Sequence, residues 1–191
     1  MSSLSENIDL HSKNKHNLIW LDMEMTGLDP NTNVILEAAV VITNSNLDII
    51  ASSQSYAIYQ SNIELEKMDK WNTNTHSKSG LINRVKNSTY STQNVENEIL
   101  ELISKYTLKN NSPLCGNTIY QDRKFVTKYM PKFEGYLHYR NIDVSSIKEL
   151  AKRWYPDIYN GFKKHNKHEA LADIIESINE LKYYREKLFI K

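Results

Sequence analysis

Leu18-Ile19-Trp20-Leu21-Asp22-Met23-Glu24-Met25-Thr26-Gly27 decides how the rest of the chain is read. Four apolar residues, Leu18 to Leu21, run into two carboxylates one residue apart, Asp22 and Glu24. The apolar run reads as a buried strand, and a buried charge without a partner is costly. Alternate residues of a strand share a face, so Asp22 and Glu24 aim side by side into one pocket, about 7 Å apart at their α-carbons. Two carboxylates so placed repel each other unless a cation lies between them. A bare Asp-x-Glu also fits two solvated acids at a strand end. The pair means metal only if further acids join it.

Composition bounds the answer. At 191 residues the chain can bury one sizeable core. It is 40% hydrophobic and 25% charged, with net charge +1, the profile of an ordinary soluble domain. A protein that tracks along a long nucleic acid carries a basic stripe and a high pI. This neutral balance instead points to a short or locally held substrate. Cys115 is the sole cysteine, so an intrachain disulfide is excluded and a reducing, cytoplasmic setting is expected. No apolar run has the length of a membrane-spanning helix. Residues 1–16 are polar and lack the apolar centre of a signal peptide. They read as a disordered tail, and 17–191 as a single domain.

Working outward, Asn17–Met23 is the first expected strand, followed by turn residues Thr26 to Pro30. Val34–Thr43, interrupted by Glu37, is the second strand, and Leu47–Tyr59 the third after the Asn44-Ser45-Asn46 turn. Short helices are expected at Ser61–Asp69 and Gly80–Lys86, with a polar stretch between them. Val95, Ile99, Leu102 and Tyr106 mark a helix over Ser91–Tyr106. Leu114-Cys115 is a short buried strand. Ile119–Met130 is helical up to Pro131, which can open the next helix. Arg140–Val144 is the fifth strand, Ser145 caps a helix reaching Trp154, and Asp157–Lys167 is a loop. Glu169–Lys187 is a long closing helix. A meander followed by strand–helix alternation predicts an α/β fold with a mixed five-stranded sheet flanked by helices.

Three later positions can join Asp22 and Glu24. Asp122 falls near the start of the helix after the Leu114-Cys115 strand. His168 and Asp173 lie in His-Glu-Ala-Leu-Ala-Asp. Five residues turn a helix about 140° past a full turn, so these two share no helical face. The spacing makes sense if His168 precedes the last helix and Asp173 sits on it. Singly, each has a plainer reading: a first-turn acid facing the helix dipole, a solvated loop histidine, an acid edging an apolar stripe. Together, four carboxylates and a histidine suit hard cations, with Mg²⁺ or Mn²⁺ favoured over Zn²⁺. Two such ions about 4 Å apart activate water and stabilise a leaving oxygen in phosphodiester cleavage. A histidine titrating near neutrality can take the water's proton.

These positions match the motifs of the DEDDh 3′→5′ exonucleases, which have a ribonuclease H-like fold. The resemblance is closer still to the oligoribonuclease family. It is carried by residues 18–30 and by Met-Asp-Lys-Trp-Asn (68–72), Thr-His-Ser-Lys-Ser-Gly-Leu (75–81) and Cys-Gly-Asn-Thr-Ile-Tyr-Gln-Asp-Arg (115–123). Lys-Tyr-Met-Pro (128–131) and His-Tyr-Arg-Asn-Ile-Asp-Val-Ser (138–145) complete it. Thr118 stands where that family usually has Ser, and Tyr120 where Gly is common. The resemblance implies a homodimeric exoribonuclease that degrades very short RNAs, dinucleotides above all, with two Mg²⁺ or Mn²⁺ ions. It implies Asp22, Glu24, Asp122 and Asp173 as metal ligands and His168 as general base. Leu28 would wedge against a base and Trp71 stack on one. Thr118 would contact phosphate, and Tyr139, Arg140 and Ser145 would close the 5′ end, with Tyr139 reaching into the partner's site. Stacking accepts any base, and an arginine forks onto phosphate. Rival readings are a proofreading or tRNA-trimming exonuclease of the same superfamily, a catalytically inactive nucleic-acid-binding protein, and an unrelated carboxylate-metal phosphatase.

Overall fold

A computed structural model describes residues 13–163 and 169–189. Strand β1 (Leu18–Met25) pairs antiparallel with β2 (Ile35–Thr43), which pairs with β3 (Ile49–Ser52) and β4 (Tyr56–Ala57). Helices α1 (Asn62–Leu65), α2 (Lys70–Lys78), α3 (Leu81–Lys86) and α4 (Thr92–Tyr106) follow. Then come β5 (Leu114–Gly116), α5 (Ile119–Tyr129), α6 (Pro131–Glu134) and β6 (Asn141–Asp143). Helices α7 (Val144–Trp154), α8 (Pro156–Asn160) and α9 (Ala170–Leu188) close the described chain. The sheet order is β3-β2-β1-β5-β6, with β4 beside β2; β1, β5 and β6 are parallel neighbours.

The mixed sheet flanked by helices is the expected architecture, with six strands because the third splits. Ser53 causes the split. Its hydroxyl accepts the Val40 N–H at 2.9 Å, and its own N–H donates to Val40 O at 2.8 Å, which breaks the regular ladder. Three local expectations also change. The polar stretch after Asp69 is a helix, α2, because the Asp69 carboxylate accepts the Asn72 N–H at 2.7 Å and caps it. The cap of α7 is Asp143, which accepts the Ser145 N–H at 2.9 Å; Ser145 lies inside the helix. The expected loop over 157–167 begins as α8. Residues 1–12 of the expected tail lie outside the described residues, while the Asn14 N–H donates to Tyr106 O at 3.2 Å. Among the described residues no helix is long and apolar enough to cross a membrane.

The pleat of β1 sorts the core into two faces. Ile19, Leu21 and Met23 pack with Val95, Ile99 and Ile103 of α4 and Phe125 and Val126 of α5. Trp20 points the other way and packs with Val144 and Ala151 of α7 and Ile174 and Ile178 of α9. The Trp20 indole N–H donates to Thr43 Oγ1 at 3.0 Å, so its one polar atom is satisfied in the core. Asp22 and Glu24 follow Trp20 in the alternation and therefore lie on the α9 face. β5 fits tightly against β1: a Cβ on Gly116 would stand 2.9 Å from Leu21 O, so only glycine closes that contact.

Candidate active site

The central strand supplies the floor of the site. β1 runs through Glu24 to Met25, two residues past its expected end, so both acids sit on the strand and share a face, just before its register with β2 shifts between Glu24 and Met25. α9 packs across β1 and β2 and brings Asp173 in its first turn. One carboxylate oxygen from each of Asp22, Glu24 and Asp173 lies within 4.8 Å of the other two. All three side chains are half-buried. Such an arrangement in a partly desolvated pocket favours protons or cations over three bare charges. Burial, then Asp173, then Glu37 push the Glu24 carboxyl up to about 7.

Asp122 stands apart from that trio, in the first turn of α5, and is itself buried. Its Oδ1 accepts the Met23 N–H at 3.1 Å, which ties α5 to β1 between the two strand acids. Burial holds its carboxyl well above the usual range, and the nearby Glu24 adds to this, against the Met23 hydrogen bond. The four expected metal ligands are thus drawn to one end of β1, three tightly and one alongside. An all-carboxylate set of oxygens is a donor set that fits hard divalent cations. His168, the expected general base, lies outside the described residues.

The remaining expected residues form three groups. Leu28 and Trp71 are 71% and 63% exposed and line one cleft of about 610 Å³ with Gly27, Asn33 and Asp69. Large apolar side chains so exposed in the wall of a cleft are suited to packing on a flat ring. The Gln121 amide donates to Leu28 O, fixing the turn that carries Leu28 to α5. Thr118 and Ser145 meet: the Thr118 N–H donates to Ser145 Oγ at 2.8 Å and to Asp143 Oδ1 at 2.9 Å, and the two hydroxyls are 3.0 Å apart. Thr118 holds φ at +54°, a strained setting for a β-branched residue, which those two bonds from its N–H help to offset. Tyr139 and Arg140 form a separate surface pair. Tyr139 is 73% exposed, with its ring 4.4 Å from His138 and the Arg140 guanidinium over it at 5.2 Å.

Three residues without an expected role also shape the site. The buried His76 of α2 lies with Nδ1 3.9 Å from Glu24 Oε2 and Nε2 3.1 Å from Met25 O. Arg123 pairs with Glu134 at 2.9 Å and donates to Tyr139 O and His138 O, both at 3.1 Å, so α5 braces the loop that bears Tyr139. Glu37 is a fully buried carboxylate directly across from Glu24 in the β1–β2 register. Its interruption of the apolar run from Val34 to Thr43 was the visible signal. His76 and Arg123 lie inside quoted motifs, yet nothing in their spacing points to what they touch.

The family profile described as Exonuclease (RNase_T) matches residues 19–181. A protein named oligoribonuclease from Chromobacterium violaceum is 54% identical over 175 residues, covering 92% of this chain and 97% of its own length. One of the same name from Neisseria meningitidis serogroup A is 51% identical, covering 93% of this chain and 95% of its own. Among solved structures, Escherichia coli exonuclease I in complex with a 5cy-dT13 oligonucleotide aligns at TM-score 0.70 and 13% identity over 92% of this chain. Exonuclease I from Methylocaldum szegediense aligns at 0.66 and 16% over 90%. This chain spans 42% and 41% of those two proteins, and at such identities the likeness is one of fold.

Proposed function

The chain belongs to the exonuclease family, and from that premise we propose that it is a 3′→5′ exoribonuclease hydrolysing short oligoribonucleotides, dinucleotides especially, to nucleoside 5′-monophosphates. The observation that carries the chemistry is the trio Asp22, Glu24 and Asp173, with oxygens within 4.8 Å of one another at the end of the central strand. Asp22, Glu24, Asp122 and Asp173 would hold two divalent cations, Mg²⁺ or Mn²⁺. Bound there, the cations would neutralise the acids, polarise the scissile phosphate and favour ionised water.

The chain's own groups divide the remaining work. His168 accepts the proton of the attacking water, a role that rests on its motif alone. Water's oxygen bonds to phosphorus as the bond to the 3′ oxygen of the preceding nucleotide breaks, which leaves the phosphate on the 5′ carbon of the released nucleoside. Leu28 wedges against one base and Trp71 stacks on one in the cleft they both line, without regard to base identity. Thr118 contacts phosphate, Arg140 and Ser145 close the 5′ end, and Tyr139 of one protomer completes the site of its partner. A homodimer is consistent with the exposed apolar residues Leu150, Trp154 and Tyr155 at the end of α7. We place the enzyme in the cytoplasm and read 17–191 as one exonuclease domain.

Cleavage of two-, five- and twenty-nucleotide RNAs tests this reading. Turnover per mole of enzyme falls as length rises, and Asp122→Ala abolishes hydrolysis of the dinucleotide while far-UV circular dichroism is unchanged. A twenty-nucleotide RNA that competes as well as the dinucleotide assigns the chain to a trimming or proofreading role instead. Full turnover after exhaustive chelation overturns the two-cation chemistry.

A further inference from the structure

We propose that Glu37 is a positioning residue: its carboxylate, delivered from β2, acts as the N-cap of α9 and so sets where Asp173 meets Asp22 and Glu24. The first amides of a helix have no partner within it and need an acceptor from elsewhere. Glu169, the N-cap residue of α9, makes no capping hydrogen bond with its side chain. The acceptor comes from another element: the Ala170 N–H donates to Glu37 Oε2 at 3.2 Å, and the Leu171 N–H reaches Ser55 Oγ at 3.4 Å. A carboxylate is the favoured group at this end of a helix, since it opposes the positive pole of the helix dipole.

The cost of placing Glu37 there argues for such a role. All nine residues of β2 are buried, and the Glu37 side chain is 1% exposed. It lies opposite Glu24 in the register, and like charges directly opposite destabilise a strand pair. An apolar residue would fill the position without either penalty. The charge is compensated on two sides. Arg84 of α3 donates to Oε1 at 2.8 Å, and its other nitrogen is anchored on Ser79 O at 2.9 Å; Oε2 is left for α9. One carboxylate thereby joins α3, β2 and α9 immediately behind the acid trio. Asp173 lies three residues past Ala170, and a helix that starts one residue early or late turns its side chains by about 100°. The cap therefore fixes which residue of α9 faces β1.

This inference rests on the proposed cation site for its functional consequence, and its test has one arm free of cations. Glu37→Leu keeps the buried volume and removes the acceptor; Glu37→Gln keeps an acceptor and removes the charge. Amide hydrogen exchange at Ala170 and Leu171 is measured on the full chain in chelator, and Mn²⁺ binding is followed by electron paramagnetic resonance. In Glu37→Leu both amides exchange at least about tenfold faster and Mn²⁺ binds about tenfold more weakly, the usual cost of losing a supporting group behind a metal ligand. Its melting temperature falls, since the Arg84 guanidinium and the Ala170 N–H both lose their acceptor, so both readouts are taken where the variant is fully folded. Glu37→Gln stays near the wild type in both readouts. Wild-type exchange at Ala170 and Leu171 in Glu37→Leu overturns the cap, as does a Glu37→Gln variant that loses as much as Glu37→Leu. A wild-type chain that binds no Mn²⁺ overturns the cation site instead, and the exchange rates still decide the cap.

Discussion

Replacing Glu24 by glutamine is expected to stabilise the protein while destroying its activity. The side chain keeps its shape, loses its charge, and no longer repels Asp173 and Glu37. Burial and those two neighbours move the Glu24 carboxyl from 4.5 to about 7, which at about 1.4 kcal/mol per pH unit means the ionised form costs the cation-free fold about 3 to 4 kcal/mol at most. The folded protein keeps this proton until about pH 7, whereas the unfolded chain releases it near 4.5. Wild-type stability therefore falls as pH rises through that window, and the loss is complete above it. Glutamine has no proton to lose, so the gap between the two proteins is absent below pH 4.5, widens to pH 7 and is flat beyond. For a chain of this length the gap corresponds to a melting temperature up to about 10 °C higher for Glu24→Gln at pH 8. The assay is thermal unfolding in chelator from pH 4 to pH 9, repeated with saturating Mn²⁺, which should raise the wild type more than the variant. Equal melting at pH 8, or a gap that does not depend on pH, would refute the reasoning.

Two further outcomes test the substrate side. Leu28→Ala and Trp71→Ala each raise KM for a dinucleotide about tenfold or more, the scale of one lost base-stacking contact, and leave Mn²⁺ affinity unchanged; an unaltered KM removes that residue from the binding cleft. Tyr139→Ala and Asp122→Ala are each inactive alone as homodimers. Mixed in equal amounts and allowed to exchange subunits, they recover about a quarter of wild-type turnover, because half the dimers then hold one intact site; no recovery would show that Tyr139 does not act across a dimer.

Much of the sheet could be read in advance because its patterns are strong. β1 and β2 are long apolar runs, and α4 repeats its apolar residues at helical spacing. Where the pattern is silent, tertiary context decided. Lys70–Lys78 carries almost no apolar stripe because most of it faces solvent, so the Asp69 cap was the sole local clue to α2. Asp143 and Ser145 are both capping residue types two positions apart, and the backbone geometry at Asp143 selects it. The break at Ser53 depends on a hydroxyl reaching Val40 across the sheet. The acid set was legible because Asp-x-Glu ends a strand and the other two acids open helices. The cap supplied by Glu37 was not, because it needs the β1–β2 register and the approach of α9, which the local sequence does not encode.

Asp22 and Glu24 lie near the start of the sequence and Asp173 near its end, on the helix that docks last in chain order against β1 and β2. The trio is thus a contact of very high sequence separation, the kind that is slow to form because a long loop must close first. With the proposed ligand set, a chain still leaving the ribosome holds at most three of the four acids until α9 emerges. With that ligand set, catalytic turnover on refolding returns no sooner than the docking of α9 against β1 and β2.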